Sequence, residues 1–181
     1  RIKAEGALFA ATPPLETLRT LLAIFTTCRF DDKGKRRPTE GEDRMGMMLI
    51  DIKRAHFYAP AQREVFVQLP PEDPRSGEAN ICGELQQSLY GTRDASSNWE
   101  KEYCRALAAA GFNKGLASPC HFWHQAWEVR LLVHGDDFLA TGPMSGLKKF
   151  EKYMEETYEC KVEVIGVGRK DDKVLRVLGR I

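Results

Sequence analysis

Leu131-Leu-Val-His-Gly-Asp-Asp-Phe-Leu-Ala-Thr141 is the stretch that decides how the chain is read. Two apolar runs flank His134-Gly135-Asp136-Asp137 with no room for a long loop. That pattern predicts a tight β-hairpin, and Gly135-Asp136 suits a two-residue turn with Gly first. Two adjacent carboxylates then stand at the tip of a stiff ribbon. Like charges this close raise at least one pKa unless a cation sits beside them. The tip is therefore a candidate site for a hard divalent ion held by oxygen ligands, with Mg2+ the first choice. An Asp-Asp pair in a turn is also ordinary solvated turn chemistry, so the pair alone does not establish a site.

A third carboxylate would complete it. Met45 to Ile52 is a nearly continuous apolar run, the signature of a strand buried on both faces, and Asp51 stands near its end. If that strand lies beside the hairpin, Asp51, Asp136 and Asp137 converge. Two divalent ions about 4 Å apart could then bind, the arrangement used for in-line phosphoryl transfer.

Around these stretches the pattern predicts three helices. Thr12–Cys28 has Thr12 as a cap, Pro13 in the first turn, and Leu15, Leu18, Leu22 and Phe25 on one face. The second starts at the capping box Ser97-Asn-Trp-Glu100, has Trp99, Tyr103, Leu107 and Ala110 on one face, and stops at Gly111. The third runs from about Ser145 to Tyr158 with Leu147, Phe150 and Met154 inward. Further strands are expected at Glu64–Leu69, Ile81–Leu85, Cys120–Gln125, Val129–His134, Phe138–Thr141, Lys161–Val167 and Val174–Ile181. Strands and helices interleave without regular βα alternation, so the fold class is α+β.

Composition bounds the function. The chain has 181 residues, 43% of them apolar and 29% charged, which is globular and suits one domain. No stretch approaches the roughly 18 uninterrupted apolar residues of a membrane helix, and no signal peptide opens the chain. Lys and Arg total 27 against 26 acids, so net charge gives no warrant for a nucleic-acid partner, and local clusters would have to carry one. Five scattered cysteines without a CxxC read as reduced, mostly buried thiols of an intracellular protein. Arg1 at the start and an unfinished strand at the end read as a piece of a longer polypeptide.

Three ordered blocks resemble the reverse transcriptase of copia-type long-terminal-repeat retrotransposons. Met48-Leu-Ile-Asp-Ile-Lys-Arg-Ala-His-Phe57, with Glu64-Val-Phe-Val-Gln-Leu-Pro70, resembles the family's Asp-Val-Lys-x-Ala-Phe block and the strand after it. Leu85-Gln-Gln-Ser-Leu-Tyr-Gly-Thr-Arg-Asp-Ala-Ser-Ser-Asn-Trp99 resembles Leu-x-x-Ser-Leu-Tyr-Gly-Leu-Lys-Gln-Ala-Pro-x-x-Trp. The hairpin resembles Tyr-Val-Asp-Asp. Ala11 to Arg19, Gly111-Phe112, Ser118-Pro-Cys120 and Leu178 to Ile181 also fit, so the resemblance covers nearly the whole chain.

The resemblance implies a single domain over residues 1–181: a palm-like antiparallel sheet backed by helices, with a remnant of fingers, cut from a Pol polyprotein. It implies an RNA-directed DNA polymerase with Asp51, Asp136 and Asp137 as catalytic acids and Asp51, Ile52, Asp136 and Asp137 as the metal set. The cofactor would be two Mg2+ ions, with Mn2+ as a substitute. Arg54, Ala55, His56, Tyr90 and Gly91 would meet the nucleotide: His56 under the sugar, Tyr90 and Gly91 against the incoming nucleotide, Arg54 and Ala55 offering N–H groups to the triphosphate. Partners would be an RNA or DNA template-primer, a dNTP, and the fingers, thumb and ribonuclease H regions of the polyprotein, in a cytoplasmic particle or the nucleus, with no membrane.

The chain departs from the family pattern at three places: His134-Gly135 for Tyr-Val, His56 for Phe and Ser96 for Pro. None is a metal ligand, and all touch nucleotide or primer positions. A decayed copy that at most binds nucleic acid would collect such changes, yet the three acids are retained. An unrelated Mg2+-dependent phosphotransfer or signalling domain would instead predict a parallel sheet. Cys120-His-x-x-His124 is poor as half a zinc site, because neighbours on a strand point apart. No short signature surrounds any cysteine, so a Cys–His nucleophile is also weak. Trp99 reads as core; Trp123 and Trp127 fit either packing or base stacking. The runs Lys33–Arg37, Lys53-Arg54, Lys148-Lys149 and Arg169-Lys170 read as solvated surface, although the first could meet phosphates.

Overall fold

The computed structural model describes residues 10–27, 33–38 and 40–174. It is mixed α and β, with three helices and an antiparallel sheet among the described residues. Two compact units are distinguished, one built on residues 54–103 and the other on residues 11–53 and 104–181.

The second unit holds a six-stranded sheet in the order β4-β5-β6-β7-β1-β8. Its strands are β1 (Met45–Ile52), β4 (Asn113–Lys114), β5 (His121–His124), β6 (Val129–His134), β7 (Asp137–Pro143) and β8 (Cys160–Gly166). Every pairing in it is antiparallel, which removes the parallel-sheet alternative. Placing β1 inside the sheet, between β7 and β8, explains its apolar run: both faces are covered, and only Asp51 is exposed.

Alternation along the strands divides the sheet into two faces. On one face Met47, Leu139 and Leu132 cluster with Leu18 and Leu21 of helix α1 (Leu15–Thr27), with Phe25 packed at the edge. The apolar stripe of α1 is thus Leu18, Leu21 and Phe25; Leu15 and Leu22, expected inward, are 38% and 40% exposed. The other face is backed by helix α3 (Met144–Thr157), whose Leu147, Phe150 and Met154 are completely buried. Each such side chain contributes roughly 1.5–3 kcal/mol by leaving water. The helix approaches closely because Gly46 of β1 has no side chain: a Cβ there would stand 2.9 Å from Leu147 Cδ1 and collide with Met144.

Loops of the sheet unit are tied by ion pairs. Arg44, just before β1, holds Asp171 through two 2.8 Å hydrogen bonds, and this pairing draws the Asp171 carboxyl down to about 2. Arg37, expected at the surface, is instead a structural residue: its guanidinium is 2.8 Å from Glu128, and its side chain is only 8% exposed. Lys33, Lys35 and Arg36 are exposed as expected.

The other unit is poorer in regular structure. It holds a single 3-10 turn (Ala55–Tyr58), a two-stranded ribbon of β2 (Phe66–Val67) and β3 (Gly83–Glu84), and the first turns of α2 (Ala95–Ala109). The strands expected at 64–69 and 81–85 are thus cut to two residues each. Helix α2 starts two residues before the expected capping box. Ser97 is buried inside the helix, and Asp94 occupies the position before its first residue. The last expected strand, at 174–181, lies outside the described residues except for Val174, which is not in a strand.

Four of the five cysteines fall on described residues and stand outside any disulfide, but only Cys120 is buried. Cys82 is exposed, while Cys104 and Cys160 are half-buried, so mostly buried thiols was an overstatement.

Candidate active site

The hairpin forms as the sequence predicts. His134 pairs with Asp137, leaving Gly135-Asp136 as the loop, and Gly135 has φ +65°. Asp136 has no positive φ, so the turn takes the form that needs Gly at its first central position. Next to the tip, the Ile52 N–H donates to the Asp136 carbonyl at 3.1 Å, locking the end of β1 against the turn.

Register then places the acids. Asp51 pairs with Asp137 on β7 and with Lys161 on β8, while Asp137 pairs with His134 on β6. Directly opposed residues share a face. Lys161, Asp51, Asp137 and His134 therefore form one row across four strands at the end of the sheet. One step further in on the same face lie Glu163, Leu49, Leu139 and Leu132. Ile52 points to the opposite face and is 1% exposed, so only its main-chain carbonyl is available as a ligand.

Electrostatics report the crowding. Burial first, then the charges of Asp136 and Asp51, push the Asp137 carboxyl above its ordinary value, with His134 pulling the other way. A carboxyl raised by neighbouring acids is a hard oxygen donor short of a counter-charge, and this chemistry fits a divalent cation. Lys161, whose ammonium is drawn up by Glu163 and, more weakly, by Asp51, is a nearby cation. Among the described residues, no three His, Cys, Asp or Glu side chains already stand together as a ready cage for an ion. Asp137 senses the charges of Asp136 and Asp51 without the three side chains having converged on a common point.

The residues assigned to the nucleotide lie in the other unit. Arg54 adopts a left-handed conformation, φ 55° and ψ 38°, immediately before the 3-10 turn. A left-handed residue followed by a right-handed one turns successive N–H groups to one side, a nest that suits anionic oxygens. Ala55 is fully buried. The His56 ring meets the Tyr90 ring edge-on with centroids 4.1 Å apart, and Phe57 lies 5.9 Å from Tyr90. Gly91 has φ +87° with open space where a Cβ would stand, so its role here is conformational freedom.

A polar network that the sequence reading did not single out holds this segment. Asn98 Nδ2 donates to Ser88 Oγ at 3.1 Å and to Asp94 Oδ2 at 3.0 Å, and Arg63 Nε donates to Asp94 Oδ1 at 2.9 Å. The Ser88 N–H donates to the Ala59 carbonyl. Burial raises the Asp94 carboxyl, but Arg63 and Asn98 outweigh it and hold it below the usual value. The Ser of Ser88-Leu-Tyr-Gly91 is therefore a strut. Its signal was the motif itself, which does not reveal the partner.

The remaining alternatives resolve as packing. His124 is hydrogen-bonded to the Ala110 carbonyl, accepts from the Trp127 N–H and stacks on the Trp127 ring. Cys120 is buried in the core cluster, so no zinc half-site forms there. Trp99 is 1% exposed and belongs to the core, and Trp123 is half-buried beneath the Arg130 guanidinium at 4.2 Å.

The antiparallel sheet thus brings three aspartates to one end, two of them at a hairpin tip. Residues 40–167 match the sequence model of the reverse transcriptase (RNA-dependent DNA polymerase) family, and the chain belongs to that family. It is 23% identical over 116 residues to the retrovirus-related Pol polyprotein from transposon TNT 1-94 of Nicotiana tabacum, an alignment covering 62% of this chain and 9% of that polyprotein. The chain thus spans less than a tenth of the curated relative's length. The copia-type retrotransposon resemblance read from the three blocks is borne out. No helix among the described residues is long and apolar enough to cross a membrane.

Proposed function

We propose that this chain is the palm portion of an RNA-directed DNA polymerase and that Asp51, Asp136 and Asp137 are its catalytic acids. The observation that supports it best is the pairing of Asp51 with Asp137, which brings the early block and the hairpin together at one end of the sheet. Asp51, Asp136 and Asp137 would hold two divalent ions, Mg2+ or in its place Mn2+, with the Ile52 carbonyl as a further oxygen. Such ions, when bound, supply a nucleophilic primer 3′-oxygen and stabilise charge on the leaving pyrophosphate.

The chain's own part is positioning. The β-ladder fixes the spacing of Asp51 and Asp137, the Gly135 turn fixes Asp136, and the Ile52–Asp136 hydrogen bond keeps the tip against β1. A backbone fixed in this way leaves only the carboxylate side chains to close on an ion, and electrostatic catalysis gains from such preorganisation. In the other unit, we assign the Arg54-Ala55 N–H groups to triphosphate oxygens, His56 to the sugar, and Tyr90 and Gly91 to the incoming nucleotide. A template-primer and the fingers, thumb and ribonuclease H regions of a Pol polyprotein complete the partners, in a cytoplasmic particle or the nucleus.

The test is extension of a DNA primer on an RNA template by this chain joined to fingers and thumb regions of a related polyprotein. Extension that requires Mg2+ or Mn2+ is expected. Extension that persists in excess EDTA would sink the assignment.

A further inference from the structure

Two departures from the family pattern, His56 for Phe and Ser96 for Pro, are 40 residues apart in sequence and meet in the fold. Ser96 Oγ lies 3.5 Å from His56 Nε2, at the outer limit of a hydrogen bond. Ser96 is exposed in the first turn of α2, and His56 is half-buried in the 3-10 turn. On its other flank the imidazole meets Tyr90 edge-on at 4.1 Å. Tyr90 in turn follows Ser88, which Asn98 holds from the same helix. One helical turn therefore governs both neighbours of the His56 ring.

The two substitutions make sense as a set. A Phe beside a Pro is an apolar ring on an apolar wall. A His beside that Pro would lose the partner for its nitrogen, and a Ser beside Phe would lose the partner for its hydroxyl. Together they replace an apolar contact by a polar one, the hydroxyl donating to a bare Nε2 or accepting from an Nε2–H.

We propose that Ser96 is the positioning residue for His56, and that the pair makes position 56 a polar, smaller gate that accepts ribonucleoside triphosphates alongside deoxyribonucleoside triphosphates. This rests on the assignment of His56 to the nucleotide sugar. An imidazole is one ring atom smaller than a phenyl group, and a polar wall does not penalise a 2′-hydroxyl for lost hydration as a phenyl face does. Ser96 acts through the ring it holds.

The experiment measures Mg-ATP and Mg-dATP binding to the complete chain, joined to fingers and thumb as above, on an RNA template paired with a dideoxy-terminated primer. The unaltered protein should bind the two nucleotides within about threefold of each other. Ser96→Ala should weaken ATP relative to dATP by about three- to tenfold, the scale of one hydrogen bond. Ser96→Thr, which keeps the hydroxyl, should shift the ratio less than about twofold. In a His56→Phe background, which should itself disfavour ATP by about tenfold or more, Ser96→Ala should be silent. An Ala effect equal in both backgrounds, or none in either, overturns the pairing. So does an unchanged His56 Nε2 nitrogen NMR shift in Ser96→Ala. If the unaltered protein prefers dATP strongly, the gate is overturned while the polymerase reading stands. Binding of neither nucleotide overturns both.

Discussion

The sheet and the segment from Arg54 to Tyr103 hold their candidate residues by different physics. In the sheet, Asp51, Asp137, His134 and Lys161 are placed by backbone register, repeated over seven pairs on each side of β1. No single side chain decides where they stand. In the other segment the ribbon has two residue pairs, and placement depends on individual contacts: the left-handed Arg54, the His56–Tyr90 edge, and the buried Ser88–Asn98–Asp94 network with exposed Arg63 at its rim. A site built on a ladder tolerates sequence change around it, whereas one built on side-chain bonds changes when any partner does. The retained acids fall in the first region. Two of the three departures, His56 and Ser96, fall in the second.

The largest effect expected separates chemistry from scaffold. Asp51→Asn or Asp136→Asn should lower primer extension by about a thousandfold or more, the order found when electrostatic groups are removed from an active site. The melting temperature should stay within a few degrees, since neither carboxylate is part of the apolar core. A collapse of the fold in either variant would mean that the acids are structural and would break the contrast.

Next in size, Phe150→Ala should cost about 3–5 kcal/mol in denaturant unfolding, because the ring is fully buried between α3 and the sheet. Asn98→Ala should cost less, about 1–3 kcal/mol, by leaving Ser88 and Asp94 without their shared donor. Its mark should be local: faster amide exchange at Ser88, with protection in β1 and β7 unchanged. Equal loss of protection in the sheet would show that the two regions are not held independently.

The smallest effect concerns pH. The Asp171 carboxyl is depressed to about 2 by Arg44, so the folded value lies below the unfolded one near 4. Its contribution is therefore complete above about pH 4 and is lost as pH falls toward 2. Asp171→Asn should remove about 1 kcal/mol at neutral pH and flatten that acid limb, read from unfolding curves between pH 2 and 5. An unchanged limb would assign acid sensitivity to other carboxylates.

What could be read from the sequence follows the same division. The strand Met45–Ile52, the hairpin with its turn, and the inward face of α3 were legible because apolar runs and a Gly in a two-residue loop report backbone geometry directly. The start of α2 was not. Ser97-Asn-Trp-Glu100 satisfies the capping-box pattern, but Ser97 is buried and the helix begins at Ala95, ahead of it. The apolar face of α1 shifted from Leu22 to Leu21 because the sheet, rather than the helix alone, selects which leucines are covered. Lys161 could not be placed beside Asp51 without the β1–β8 register, which no local pattern encodes. The acids themselves were found, first by crowding and then by family resemblance, and their pairing needed the fold.

The brevity of the turn between His134 and Asp137 has a consequence for which length changes the chain can survive. One added residue there, with the rest of the strand kept in line, would invert β7. Asp137, Leu139 and Thr141 would swing toward α3, and Phe138 and Ala140 would take their places opposite α1. Insertions and deletions in descendants of this sequence should therefore gather in stretches such as 70–80, while this tip keeps its spacing even as its flanking letters drift.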